Sequence, residues 1–307
     1  MSKPAIPQVF NTARHIARKN RAASAYGEYD FLKARVSRDL IERLGDTSHS
    51  FTHALDLGAH TGQLTKLLED SDQVGATTAF ETSPAMAETA GKSTLSGDPE
   101  TLPFEENRFD LVTSALALHW INDLPGQLIQ INRLLKPDGL FLGALFGAGT
   151  LMELRTCLME AETEITGGAG LRVSPLPGLQ DCAGLLQRAG FALPVADVDH
   201  ITVRYDHPMR LMADLKGMGE SAAFASVSSP LRRDVLMRMA ELYLQRFSDP
   251  DGRIRASFEV VWLSGWAPAP GQPRPKRPGS ARASLAEALG SVERKAGEKA
   301  GPSGNNS

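Results

Sequence analysis

The sequence predicts an α/β fold: a doubly wound, mostly parallel sheet of seven strands with an antiparallel strand at its edge. Apolar runs of strand length alternate with amphipathic segments of helix length along residues 51–146, which is typical of a parallel sheet covered by helices. A glycine turn at residues 58–62 separates the first such run from the helix that follows it. Two later strand-like runs, at 195–204 and 258–263, are predicted to pair antiparallel at one edge.

The composition supports one large domain with flanking segments. The chain has 307 residues, 42% of them hydrophobic and 22% charged, which is enough to bury a sizeable core. We predict an N-terminal helical segment at 1–50 and the α/β domain at 51–267, with a helical insertion near 205–250. Residues 268–307 are rich in proline, glycine, lysine and arginine and are predicted to be a disordered tail. The N-terminal segment opens with basic and no acidic residues, which leaves a mitochondrial transit peptide open, although its apolar spacing favours a packed helix.

The charge, hydropathy and cysteine content disfavour several classes of function. A formal net charge of −3 provides no overall attraction to nucleic acid or to membranes. No apolar run approaches the roughly 20 residues that a membrane-spanning helix needs. Cys157 and Cys182 are too few for a disulfide framework and indicate a reducing compartment, so the expected location is cytoplasmic. The seven histidines show no His-x-Asp/Glu pairing, so no metal site is predicted.

The segment at residues 54–63 has the features of a ligand-binding turn. A buried strand ends at Leu57, Gly58 and Gly62 bracket the turn, and a helix follows. Glycine lets a ligand approach the backbone closely, and free N–H groups at a helix start face outward. Asp56 would oppose a pyrophosphate, but it can accept hydrogen bonds from amide groups or from a cationic ligand. An ordinary strand–turn–helix corner is the alternative interpretation of this motif alone.

Two more acids stand at the ends of the next two predicted strands. Glu81 ends the second strand, where an acid in a doubly wound sheet accepts both ribose hydroxyls of an adenosine. Asp98 follows the third strand. Because the carboxyl ends of parallel strands meet at one edge, we predict that Asp56, Glu81 and Asp98 share one crevice, with Thr82 and Pro99 beside them. Taken singly, Glu81 could be a solvated strand end and Asp98 a turn residue.

The fourth strand is predicted at residues 109–118, and its end carries the candidate catalytic groups. Leu116 lies near that end and is expected to contact the ligand, and His119 and Trp120 follow directly. The unperturbed pKa of histidine, about 6.5, suits proton removal from a hydroxyl or an amine. Trp120 is expected to line the pocket wall. The alternative for His119 is a polar residue that is hydrogen-bonded at a strand end.

These motifs resemble a known family. Residues 54–146 resemble the core of the type-11 group of class I S-adenosylmethionine methyltransferases, whose first motif has Asp or Glu two residues before Gly-x-Gly-x-Gly. The sequence departs from that motif at His60, which replaces the middle glycine. A closer match, over residues 9–266, is to the mitochondrial complex I assembly factor with a methyltransferase fold and its bacterial relatives. The malonyl-carrier-protein methyltransferase of biotin synthesis is similar but more distant. The closer match is carried by residues 10–11 with Arg14 and Arg18, and by residues 102–104, 118–125, 134–139, 144–155, 188–191 and 214–221.

The resemblance implies a cofactor and a set of site residues. It implies that S-adenosylmethionine binds at Asp56, Gly58, His60, Gly62, Glu81, Thr82, Asp98, Pro99 and Leu116. In the family pattern, the acid at the place of Asp98 accepts the adenine amino group, and the end of the fourth strand abuts the methyl donor. His119 and Trp120 are therefore the expected catalytic residues.

The resemblance leaves the reaction open. The first expectation is methyl transfer to an unidentified acceptor, either linked to a carrier protein or on a protein substrate. The alternative is a respiratory complex I assembly factor, which acts as a protein arginine hydroxylase or as a non-catalytic chaperone. A complex I subunit would then be the protein partner.

Overall fold

The computed structural model describes residues 8–91, 94–226 and 229–273, in which a seven-stranded sheet is flanked by helices on both faces. The strands are β1 (Phe51–Leu57), β2 (Val74–Glu81), β3 (Thr94–Ser96), β4 (Phe109–Ala115), β5 (Leu135–Phe146), β6 (Ala192–Tyr205) and β7 (Ile254–Trp266). The helices are α1 (Thr12–Ala22), α2 (Phe31–Gly45), α3 (Gln63–Glu69), α4 (Pro84–Ala90), α5 (Leu124–Leu134), α6 (Met152–Thr166), α7 (Leu179–Arg188), α8 (Pro208–Gly217) and α9 (Arg233–Phe247).

The strand order is β3-β2-β1-β4-β5-β7-β6, and the chain reverses its direction of winding between β1 and β4. Strands β1 to β5 are parallel, whereas β7 runs antiparallel to both of its neighbours, β5 and β6. The predicted pairing of the last two strands and the predicted fold class are confirmed. Ligands of open α/β sheets bind outside the carboxyl ends of the strands where the winding reverses, which here lies between β1 and β4.

Alternating residues of the central strands pack into two hydrophobic clusters on opposite faces of the sheet. Ala54 of β1 joins the cluster that includes α2, α3, α6, α8 and α9. Leu55 joins the cluster that includes α5 and α7. Each buried leucine of these clusters stabilises the fold by about 1.5–3 kcal/mol relative to an exposed one. The sheet edge that carries the candidate site is held between these two packed layers.

The predicted fourth strand was too long. Strand β4 ends at Ala115, and a single 3₁₀ turn, Leu118–Trp120, holds residues that were predicted at and just beyond the strand end. The reason is the backbone of Leu116, whose φ of +50° belongs to the left-handed region and cannot continue a strand. This bend turns the predicted catalytic residues away from the strand direction and over the sheet edge.

The N-terminal segment packs across the carboxyl edge of the sheet. The Asn11 side chain caps α1 by accepting from Arg14 N at 2.9 Å. Asn122, which follows the 3₁₀ turn, accepts from Val9 N and Phe10 N at 2.9 and 2.8 Å. The favoured packed helix is therefore present, and it lies over the predicted ligand crevice.

The contacts divide the chain into two units, residues 1–270 and 271–307. The second unit has three described residues, 271–273, and the predicted disorder of 268–307 falls almost entirely outside the described part of the chain. Cys157 and Cys182 are both buried free cysteines. Within the described ranges, no helix combines the length and the apolar character that crossing a membrane requires.

Candidate active site

The glycine turn after β1 packs closely against the end of β2 and the loop after β4. Gly58 N and Ala59 N donate to Phe80 O at 2.8 and 3.0 Å, which ties the turn to the end of β2. Gly58 has a φ of +80°, and a Cβ at this position would lie 2.2 Å from the Cβ of Ala117. No other residue type fits there, because a side chain would collide with the loop after β4.

His60 takes the backbone conformation of the glycine that it replaces. Its φ is +52°, and its buried ring stacks on Tyr26 with the ring centroids 5.5 Å apart. The ring Nδ1 donates to Gly58 O at 2.9 Å. Burial, followed by the nearby Lys19 and Lys33 ammonium groups, lowers the pKa of His60 well below its ordinary value. The imidazole is therefore neutral at physiological pH, so it does not repel a cationic ligand.

Glu81 is fully buried and is held by several donors. Its Oε1 accepts from Lys19 Nζ at 2.6 Å and from Ser83 N at 2.8 Å, and its Oε2 accepts from His60 N at 2.8 Å. Burial alone would raise the pKa of Glu81, but the Lys19 ammonium and these donors outweigh burial and lower it. Glu81 is therefore an ionised acceptor at the end of β2, and a lysine of α1 already occupies one of its oxygens.

Asp56 and Lys33 are two further buried charged groups near the glycine turn, each held by its own hydrogen-bond partners. Thr65 donates to Asp56 Oδ2 at 2.7 Å, while Oδ1 has no hydrogen-bond partner in the described part of the chain. Lys33 Nζ donates to Gly58 O at 2.9 Å and to Ala115 O at 2.6 Å, which bridges the ends of β1 and β4. Burial lowers the pKa of Lys33 to about 8, and the Asp56 carboxylate offsets part of that effect.

Asp98 does not join the two buried acids. It is exposed, and its Oδ1 accepts from Glu100 N at 2.9 Å in a local turn. Burial separates the predicted row of three carboxylates, because Asp56 and Glu81 lie inside the sheet edge and Asp98 faces solvent. Asp98 therefore differs from the other two acids in its exposure, and its place beside the adenine stays a prediction.

A cavity of about 40 Å³ lies between α1 and the carboxyl ends of β1, β2 and β4. Five of the nine predicted cofactor-binding residues line it, namely Gly58, His60, Thr82, Pro99 and Leu116. Asp56, Gly62, Glu81 and Asp98 are not part of its lining. Trp120 lines it too, together with residues of α1 that sequence reasoning did not place at the site.

The residues around this cavity fit S-adenosylmethionine in kind. Phe80 and Ile121 present apolar surface for a purine, and Glu81 is a carboxylate of the type that holds ribose hydroxyls. The neutral His60 tolerates a sulfonium. The point of conflict is Lys19, because its ammonium and a ribose hydroxyl compete for the same oxygen of Glu81.

The predicted catalytic residues meet at a shared carboxylate. His119 Nε2 and Trp120 Nε1 donate to Glu220 Oε2 at 3.0 and 2.8 Å. The ring of His15 stacks on Trp120 with 4.1 Å between the centroids, and burial lowers the pKa of His15 to about 3. The pair is therefore fixed by a glutamate from the segment after α8 and by a neutral histidine from α1.

Sequence reasoning missed several of these residues, among them three charged ones, Lys19, Lys33 and Glu220. Lys19 and Lys33 lie on helices that precede the first strand, and nothing in their spacing distinguishes them from surface lysines. Glu220 belongs to one of the segments that carry the family resemblance, and this was the signal that could have found it. Among the described residues, no group of three or more His, Cys, Asp or Glu is placed to hold a metal ion.

The strand order, the glycine turn and the cavity above β1 define the class I methyltransferase fold. A methyltransferase domain family model matches residues 55–143. Arginine-hydroxylase NDUFAF5, mitochondrial, of Mus musculus is 40% identical over 297 residues, which cover 93% of this chain and 85% of that protein. Malonyl-acyl-carrier-protein O-methyltransferase of Halorhodospira halophila is 33% identical over 267 residues, which cover 82% of this chain and 88% of that protein. The chain therefore belongs to the class I S-adenosylmethionine-dependent methyltransferase family that includes both of these relatives.

Solved structures share the fold at low identity. The YcgJ protein of Bacillus subtilis has a TM-score of 0.53 and 17% identity, and the match covers 76% of this chain and 99% of that chain. Phosphoethanolamine N-methyltransferase 2 of Haemonchus contortus has a TM-score of 0.52 and 17% identity, and the match covers 88% of this chain and 62% of that chain. These likenesses support the fold alone.

Proposed function

We propose that this protein binds S-adenosylmethionine between α1 and the carboxyl ends of β1, β2 and β4, and transfers its methyl group to a substrate. The observation that carries the proposal is Glu81, an ionised and buried carboxylate at the end of β2 beside a glycine turn. In a doubly wound sheet this is the position from which an acid holds an adenosine ribose.

Residues that line the cavity and Glu81, which lies behind the lining residue Lys19, have different roles in binding. Glu81 accepts the ribose hydroxyls, and Gly58, which lines the cavity without a side chain, lets the ligand approach the backbone. When bound, S-adenosylmethionine supplies an electrophilic methyl group. Asp98 and Pro99 remain proposed neighbours of the adenine, and Pro99 lines the cavity. For the ribose to bind, the Lys19 ammonium must either leave Glu81 Oε1 or donate to it together with a ribose hydroxyl.

His119 and Trp120 are the proposed catalytic residues. An acceptor hydroxyl or amine loses a proton as it is methylated, and a histidine that reaches the acceptor can take that proton. His119 Nδ1 is buried and has no partner in the described part of the chain, while Nε2 is held by Glu220. Trp120 forms a wall shared by the cofactor cavity and a second cavity beside it.

Calorimetric titration with S-adenosylmethionine tests the proposal. We expect the wild-type protein to bind, and Glu81→Gln to bind about tenfold or more weakly, because hydrogen bonds to a charged acceptor contribute about 1.5–3 kcal/mol. Glu88→Gln, at an exposed position of α4, is the matched control. Thermal unfolding shows whether each variant is folded. Absence of binding by the folded wild type, or equal binding by the two variants, contradicts the proposal.

A second candidate function is supported by the relatives named arginine hydroxylase, at 40% identity. In this proposal the protein acts on, or chaperones, an arginine-bearing subunit during respiratory complex I assembly. Purification of complex I from a strain that lacks the protein, followed by mass spectrometry, tests it. Loss of a hydroxyl or a methyl group from one arginine supports a catalytic role. Unmodified subunits with failed assembly support a chaperone, and normal assembly without any change removes this candidate.

The acceptor and the location are also proposals. The relatives named malonyl-acyl-carrier-protein O-methyltransferase make a carrier-linked acceptor the alternative to an arginine side chain, and a methyl-transfer assay with malonyl-carrier protein tests this alternative. A cytoplasmic location rests on the two unpaired cysteines. Cell fractionation tests it.

A further inference from the structure

A second and larger cavity adjoins the catalytic pair. Its volume is about 180 Å³, and His119, Trp120, Phe146 and Glu220 line it where it approaches the cofactor cavity. The rest of the wall is formed mainly by apolar side chains of α6, α8 and the neighbouring loops. These are Leu154, Leu158, Leu176, Met212, Leu215 and Leu231.

Glu220 lies where the cavities meet. It lines the 180 Å³ cavity together with Phe146, and both residues also line a small third cavity. That third cavity shares His60 and Leu116 with the cofactor cavity. A group that reaches Glu220 from the larger cavity is therefore close to the turn on which the cofactor is proposed to bind.

The two oxygens of Glu220 are not equivalent. Both protein donors, from His119 and Trp120, bind Oε2, whereas Oε1 accepts no hydrogen bond within the described part of the chain. Burial alone would raise the pKa of Glu220, but the facing His119 ring, the nearby His15 and the Trp120 N–H donor together outweigh burial and lower it, so the carboxylate is ionised at neutral pH. Oε1 is thus an oriented anionic acceptor without a protein donor, at the inner end of an apolar cavity.

The other charged group of this cavity does not neutralise Glu220. Arg172 donates to Glu162 through Nε at 3.1 Å and to Ser229 O through Nη1 at 2.7 Å. Its guanidinium is therefore already paired with a carboxylate. A second anion in the cavity would face Glu220 without a free cation, whereas an incoming cation would find an unpaired oxygen.

We propose that Glu220 is a specificity-determining residue that receives the guanidinium of an arginine side chain through Oε1. The apolar wall covers the methylene stem, while the polar head reaches the carboxylate. Trp120, Phe146 and Phe258 line the same cavity, and a planar guanidinium packs on aromatic rings better than a compact ammonium does. A carboxylate acceptor, such as a free malonyl group, is disfavoured by the like charge of Glu220.

The inference deepens the proposed function, because it rests on a cofactor bound beside this cavity. Its test uses the full chain and three probes: acetyl-Gly-Arg-Gly-amide, the same peptide with citrulline, and a malonyl thioester of N-acetylcysteamine. Citrulline keeps the shape of arginine and loses the charge. We expect the arginine peptide to bind about tenfold or more tightly than the citrulline peptide, and more tightly than the thioester. The reason is that only the arginine peptide can form a charge-assisted hydrogen bond with the Glu220 carboxylate.

Variants of Glu220 test whether this residue causes the preference for the arginine peptide over the citrulline peptide. Glu220→Gln keeps the size and should bind both peptides with equal affinity, whereas Glu220→Asp keeps the charge and should restore part of the preference. Glu241→Gln, on the exposed face of α9, should leave the preference intact. The inference is overturned if the wild type binds neither peptide, binds both equally, or prefers the thioester. It is also overturned if folded Glu220→Gln still prefers the arginine peptide. If Glu220→Gln does not fold, the inference is still tested by the comparison of the two peptides with the wild type and by Glu220→Asp. A separate titration with S-adenosylmethionine distinguishes failure of this inference from failure of the proposed function.

Discussion

Lys33 offers a direct test of the charge arrangement under the glycine turn. Its ammonium is 2% exposed and donates to the carbonyls that end β1 and β4. Burial lowers its pKa from 10.5 to about 8. At about 1.4 kcal/mol per pKa unit, the protonated side chain is about 3 kcal/mol less favourable in the folded protein than in the unfolded chain.

The sign of the pH dependence follows from this lowered pKa. Between pH 8 and the unfolded pKa of 10.5, the unfolded chain binds more protons at Lys33 than the folded protein does. The free energy of unfolding therefore rises with pH in this window. From pH 7 to about pH 9.5, Lys33 should add about 2 kcal/mol to the stability of the wild type. Lys33→Met has no titratable group there and should lack this increment.

Urea unfolding at the two pH values, followed by circular dichroism, measures the increment as a difference between wild type and Lys33→Met. Other groups that titrate in this range cancel in that difference. Lys66→Met, at an exposed position of α3, should behave like the wild type. If the stabilities of wild type and Lys33→Met rise by the same amount, or the difference has the opposite sign, the ammonium is not buried as described.

Two further predictions concern the glycine turn and the ion pair of α1. Gly58→Ala should abolish S-adenosylmethionine binding and destabilise the protein by about 2 kcal/mol or more, because a Cβ at a φ of +80° meets Ala117. Gly45→Ala, where a Cβ meets nothing within 4 Å, is the control in urea unfolding, and equal effects of the two would refute the reasoning. Lys19→Met should destabilise the protein by about 3–5 kcal/mol at neutral pH, because it leaves Glu81 as an unpaired buried charge. Since the folded-state pKa of Glu81 is lowered, its contribution is present above the ordinary value of 4.5 and is lost as the pH falls through the folded value. Urea unfolding from pH 7 to about pH 3 should show this acid loss in the wild type and much less of it in Lys19→Met, and parallel curves would contradict the prediction.

The candidate site could be predicted from the sequence only where its parts are local. The strand, glycine turn and helix at 51–69 depend on residues that are neighbours in the chain, and so does the acid at the end of β2. Asp98 shows the limit of this reasoning. An acid after β3 has the expected position in the sequence, but the loop directs it to solvent and to a bond with Glu100 N.

His60 is a second case in which local reasoning was incomplete. The sequence shows a departure from the family motif, without indicating where the side chain lies. In the folded protein its backbone keeps a left-handed conformation, at a cost of about 1–3 kcal/mol, and its ring packs on Tyr26. The stacking partner comes from the segment before α2, so its position depends on how that segment packs against the sheet.

The sequence by itself determined the fold class, the order of the β1–turn–α3 unit and the family, because hydrophobic periodicity, glycine turns and capping residues act over a few neighbouring positions. Only the tertiary structure decided which charges meet. Lys19 reaches Glu81 across 62 positions and Glu220 reaches His119 across 101, and no local pattern encodes either contact. Burial then sets their chemistry, since an ion inside the protein must find a partner that a solvated one does not need.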